Sequence, residues 1–218
     1  MGAYMSTSID FSDYFYFFRV LARNSKKLLD RSVDTYNSML KLDPQEAQGI
    51  HFEMGESLER KGDYPGAIRA YEKILATEPD NVSALFKVGK LYIQLCQLGK
   101  ALEVLKKVTQ LDGAFAEAFY LLGSAHFSID ENEEALEALK RSIELSPGNA
   151  EAYYKLGLIY DAMLIPDSSI DAYQKAITFK PDFVRAYQSL GFAYEAKGMR
   201  DEAVKYFKKS LEFAENNS

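Results

Sequence analysis

Five glycines fall at a constant step of 34 residues: Gly55, Gly89, Gly123, Gly157 and Gly191. Twelve residues after each stands Ala67, Ala101, Ala135, Ser169 or Ala203, and four further on Tyr71, Leu105, Leu139, Tyr173 or Phe207. The chain of 218 residues holds only 13 glycines, so five in one register beside two further columns mark a repeat. Each unit carries two apolar patterns of helical period with a short break between them, and Pro79, Pro147 and Pro181 close three of the units. The small columns have a physical reason. Two antiparallel helices approach closely only where side chains are small, and a large residue of one then fills the notch in the other. Helix pairs locked at these glycines are therefore predicted.

A helix–turn–helix unit of this length, with its order of aromatic or Leu, Gly, Ala, aromatic and Pro, resembles the tetratricopeptide (TPR) repeat over residues 48–217 without a gap. The resemblance implies an all-α, right-handed superhelix (an α-solenoid) of antiparallel helix pairs, each resting on its neighbours. Residues 1–10 are expected to be disordered and 11–47 to form a divergent helix pair, in which Val20 holds the glycine column and the register slips by one. Units one and two then span 48–113, and units three to five 114–217. In the inner turns Gly62 and Gly198 suit a left-handed position, whereas Cys96, Asp130 and Leu164 replace them. Leu164-Ile165-Pro166 thus puts apolar side chains into an exposed turn. Between units two and three Gly113 stands where the other units have proline, and it is expected to be the point where the superhelix bends.

Charge and composition narrow the function. The net charge of −6, with 26 basic and 32 acidic residues mixed along the chain, lacks the basic stripe that a nucleic-acid partner needs. The lone Cys96 excludes an internal disulfide and any multi-cysteine metal site. No apolar run reaches the length of a membrane span, and Asp10, Asp13 and Arg19 do not suit a secretory signal, so a cytoplasmic protein is the simplest reading. Met1, Gly2 and Ser6 fit the myristoylation pattern, but a pattern this short is weakly specific, and Met5 offers an equal second start. His51 and His126 fall in packed columns and are expected to be hydrogen-bonded core residues. Asp130, Glu131, Glu133, Glu134 and Glu137 begin a helix, where carboxylates favour the dipole. No nucleophile–base pair, phosphate loop or spaced metal ligands appears, so neither catalysis nor a cofactor is expected.

The groove of the superhelix is the remaining candidate site. First-helix residues expected on its concave side include Phe52, Phe86, Lys90, Tyr120, Phe127, Tyr154, Leu158 and Phe192. Such a lining, acidic near unit one at Glu56 and Glu59 and apolar-aromatic from unit three, suits an amphipathic helix or an extended apolar peptide, although aromatics here are also a family habit. The co-chaperone clamp for a C-terminal carboxylate is excluded, because its basic columns hold Phe52, Glu56, Tyr120 and Ser124. Two further surfaces stand out. The aromatic run Tyr14, Phe15, Tyr16, Phe17 and Phe18 is too dense to face one interior, and Val204, Phe207 and Leu211 are expected to form an uncovered strip on the last helix.

Longer matches point to one branch of the TPR proteins. Leu21-Ala22, Lys26-Lys27-Leu28 and Val33-Asp34, running through Tyr36 into Gly55, Gly62 and Ala67, are similar to the MamA family of magnetosome-associated TPR proteins from magnetotactic bacteria. Residues 123–125, 153–158, 185–189 and 200–209 extend the likeness. The resemblance implies a non-catalytic scaffold that self-assembles on the cytoplasmic face of the magnetosome membrane, held there through protein partners, and recruits other magnetosome proteins. It further implies that the divergent N-terminal repeat docks on a neighbour's concave face and that two rigid halves pivot. The positions that match here are Tyr14–Phe18 and Phe86, Tyr120 and Tyr154. The aromatic run is denser than the family's pattern, so its contacts need not be the same. The alternatives are a monomeric adaptor that takes a peptide in its groove, and an accessory arm of an enzyme.

Overall fold

The computed structural model describes residues 43–216, which form ten α-helices and no strand. They are α1 (Pro44–Arg60), α2 (Tyr64–Thr77), α3 (Val82–Gln94), α4 (Leu98–Leu111), α5 (Ala116–Phe127), α6 (Asn132–Leu145), α7 (Ala150–Ala162), α8 (Pro166–Phe179), α9 (Val184–Ala196) and α10 (Arg200–Asn216). Residues 1–10 and the aromatic run Tyr14–Phe18 lie outside the described residues. The chain divides at His51 and Phe52 into two compact units, and the second carries the repeats. Odd-numbered helices are the first of each pair and even-numbered helices the second.

The glycine column does what its spacing predicts. A methyl group at Gly89 would lie 2.9 Å from Leu105, one at Gly123 2.8 Å from Leu139 and one at Gly55 2.5 Å from Tyr71. At Gly157 and Gly191 it would enter the rings of Tyr173 and Phe207. Ala67, Ala101, Ala135, Ser169 and Ala203 are all buried alongside. In two units a polar lock adds to the fit: the Tyr71 hydroxyl donates to Glu59 Oε1 at 2.5 Å and that of Tyr173 to Asp161 Oδ2 at 2.6 Å. Burial foremost, then these carboxylates, raise both phenols far above the usual tyrosine range, so both stay protonated donors.

Pairs then stack into an α-solenoid. Each second helix packs on the first helix of the next unit, and the first helices α3, α5 and α7 also touch in succession, which sets them on the inner side of the stack. Within one unit Ser142 Oγ of α6 donates to the Ala116 carbonyl of α5 at 2.8 Å, and between units Lys107 Nζ donates to the Pro79 carbonyl at 2.7 Å.

The residue that opens each first helix alternates in kind. Asn81 and Asn149 accept from the N–H groups of Ala84 and Ala152 at 3.0 and 3.1 Å, as N-caps do. Phe115 and Phe183 hold the same column without a capping bond. Instead their rings turn inward, onto Phe86 at 4.6 Å and Tyr154 at 4.9 Å. A lost cap of about 1 kcal/mol is offset by aromatic burial of comparable or larger worth.

All five inner-turn positions are left-handed, with φ of 75° at Gly62, 55° at Cys96, 61° at Asp130, 59° at Leu164 and 76° at Gly198. Leu164 is 87% exposed, as its place in that turn implies. Gly113 sits in the loop before α5, where Arg141 Nη2 donates to its carbonyl at 3.3 Å and a Cβ would meet nothing within 4 Å.

Candidate peptide-binding groove

The inner surface is built from the first helices, and it is less uniform than the sequence suggests. Phe52 is half-buried, edge-on to Tyr71 at 5.3 Å, with Lys87 Nζ 5.7 Å from its ring centre. Lys87 also pairs with Glu56 at 3.0 Å and Glu59 at 3.5 Å, so part of the acidity expected near unit one is neutralised. Phe86 is a correction. It is only 8% exposed, because Phe115 closes over it, and it belongs to the core rather than to a binding face. Lys90 is exposed one turn further along α3.

From α5 onward the surface opens. Tyr120, Phe127, Tyr154 and Leu158 are half-buried, each with one side packed on a core cluster, and Phe192 is 63% exposed. Burial first, then the Glu151 carboxylate, pushes the Tyr120 phenol above its ordinary range, while Arg185 pulls the other way. The Ser124 hydroxyl tempers that shift too, yet it is buried and completes no hydrogen bond of ordinary geometry.

A charged cluster beside these rings escapes a reading confined to the aromatic column. The Arg185 guanidinium lies 5.4 Å from the ring centres of both Tyr154 and Phe183, and its Nη2 is 3.4 Å from Glu151 Oε2. Lys180 Nζ approaches the other oxygen of Glu151 at 3.6 Å and the Phe183 ring centre at 4.7 Å. Burial holds the Lys155 ammonium below the usual lysine range. The sequence did carry a signal for this cluster: Glu151 stands four residues before Lys155 on one helix and one full repeat before Arg185.

On the last helix Val204 and Leu211 are 51% and 61% exposed, as expected. Phe207 is only half-exposed, because its ring fills the Gly191 notch and meets Phe192 edge-on at 5.0 Å. The equivalents of Val204 and Leu211 one unit earlier, Ile170 and Ile177, pack in a cluster with Leu190 and Ala193 of α9. Both histidines are buried, and His126 Nδ1 lies 2.6 Å from Glu131 Oε2. Among the described residues no group of His, Cys, Asp and Glu could hold a metal ion.

Known proteins resemble the chain both in repeats and as a whole. TPR repeat families match residues 123–163 and 167–198, 151–181 and 184–217, and the family of anaphase-promoting complex, cyclosome, subunit 3 matches 60–142. A curated relative, the CTR9 homolog of Arabidopsis thaliana, is 39% identical over 69 residues, and that match spans 32% of this chain and 6% of the relative. A crystal structure of MamA is 54% identical, covers 75% of this chain and 96% of its own, and superposes with a TM-score of 0.73. The chain belongs to the MamA family. A second MamA crystal structure agrees, at 54% identity over 77% of this chain and 92% of its own with a TM-score of 0.72. MamA from Desulfovibrio magneticus RS-1 is more distant, at 27% identity over 78% of this chain and 96% of its own, with a TM-score of 0.74. Membership makes this a TPR protein of the interaction class and not an enzyme. It also connects the chain with the magnetosome, and among the described residues no helix is long and apolar enough to cross a membrane.

Proposed function

We propose that the chain is a homo-oligomeric scaffold that assembles on the cytoplasmic face of the magnetosome membrane, attaches there through protein partners and recruits other magnetosome proteins. The observation that carries this reading is the 54% identity to MamA over nearly that protein's whole crystallised length. The groove supports it physically. Tyr120, Tyr154, Leu158 and Phe192 offer apolar surface on three successive first helices, a setting that suits an amphipathic or extended segment. The element that enters a neighbour's groove is the aromatic lead at Tyr14–Phe18.

Light scattering after gel filtration tests assembly. The full chain is expected to form species that grow with concentration, and removal of residues 1–43 to return it to a monomer. A monomer in both cases contradicts the scaffold and favours a monomeric adaptor that takes a foreign peptide in the same groove.

A further inference from the structure

The outer face of α10 repeats the columns by which each second helix receives the next unit, and among the described residues no helix covers it. Val204, Lys208 and Leu211 stand where α8 has Ile170, Gln174 and Ile177. On α8 those side chains are occupied. Ile170 shares a cluster with Leu190 and Ala193 of α9, Ile177 with Phe183 and Ala186, and Gln174 Nε2 donates to the Tyr194 hydroxyl at 3.0 Å. Asp167, at the start of α8, pairs with Lys197 at the end of α9, so the two helices run antiparallel. On α10 Val204 and Leu211 are instead more than half exposed, and Val204 lies in a shallow groove with Asp201, Lys205, Lys208, Lys209 and Glu212. Charge along this face is banded: an acid, three bases, then an acid. Lys205 and Lys209 reach only rings, Tyr206 at 5.8 Å and Tyr187 at 5.9 Å, and no carboxylate of the described residues pairs with any of the three lysines.

We infer that this face docks an amphipathic helix of a partner protein, antiparallel to α10, with apolar side chains over Val204 and Leu211, carboxylates against Lys205 and Lys208, and a cation at its C-terminal end near Asp201. The joint between α8 and α9 supplies the template: the cation takes the place of Lys197, and the apolar pair the places of Leu190 and Ala193. Burial of the apolar strip supplies affinity, and the banded charges fix direction and partner. A second α10 is the wrong occupant. Turned antiparallel about the strip, it would lay lysines over lysines and bring Glu215 towards Asp201, and like charges so placed repel. The face is separate from the groove, so the inference stands if the groove reading or the assembly does not.

The test uses the full chain and two fluorescein-labelled amphipathic peptides of identical composition, stapled on their outer face so that both are helical. Each carries Leu and Ala at the spacing of Leu190 and Ala193; the first has Glu at its middle and Lys at its C-terminal end, and the second exchanges them. Fluorescence anisotropy is expected to show the first peptide binding at least about fivefold more tightly, as a few exposed ion pairs imply. Lys205→Glu with Lys208→Glu should reverse that order. Val204→Ser with Leu211→Ser should weaken both peptides about tenfold, with the unfolding midpoint and the light-scattering mass of the chain unchanged. Binding of neither peptide, no preference for the first, or a preference that survives the lysine double variant overturns the inference. So does binding that Val204→Ser with Leu211→Ser leaves intact. A fall in the mass of the assembly in that variant gives the face to a second copy and overturns the partner helix.

Discussion

Leu164 holds a backbone conformation that costs an L-residue about 1–2 kcal/mol, and its side chain, almost wholly in water, returns little of that cost. Glycine would remove the steric cost but gives back about 0.5–1 kcal/mol through the freedom it adds to the unfolded chain. Leu164→Gly is thus expected to stabilise the protein by about 0.5–1 kcal/mol, seen as a higher denaturation midpoint at unchanged m. An unchanged or lower midpoint contradicts the strain. This position was legible in the sequence, because Gly62 and Gly198 mark the same turn three units before it and one unit after it. The alternation of Asn81 and Asn149 with Phe115 and Phe183 was not. An aromatic in a capping column has no local reason to be there; its reason is a ring in the facing helix, a contact 29 residues away in sequence.

For a pair of helices the glycine notch sets the sign of a substitution that propensity alone would get wrong. Alanine in a helix interior is worth up to about 1 kcal/mol over glycine. At Gly157 the added methyl group would enter the Tyr173 ring, and overpacking of that kind costs about 1–3 kcal/mol. Gly157→Ala should therefore destabilise the fold, whereas Gly99→Ala, where a methyl group meets nothing within 4 Å, should be neutral or stabilising. Thermal unfolding of the two variants side by side decides it, and stabilisation at both positions would mean that the helices are not locked there. Spacing revealed this contact because notch and knob sit in one repeat, 16 residues apart. The same regularity misled at two places. By its column Phe86 reads as a groove residue although Phe115 buries it, and Phe207 reads as uncovered although half of it is hidden in the notch at Gly191.

At the scale of the molecule, identical folds of successive units produce an inner face whose chemistry is not identical. Near α1 and α3 the inner acids are paired with Lys87 and one aromatic is buried, whereas α5, α7 and α9 keep half-exposed rings beside surplus positive charge. A column of residue types could show the rings but not the charges, which converge from α7, the end of α8 and the start of α9. We propose that this asymmetry puts the binding face on the later first helices. Hydrogen–deuterium exchange across the concentration range of assembly addresses it directly. Slower exchange on assembly is predicted in Ala116–Phe127, Ala150–Ala162 and Val184–Ala196. Protection confined to the second helices Asn132–Leu145 and Pro166–Phe179, with the first helices unchanged, would contradict it.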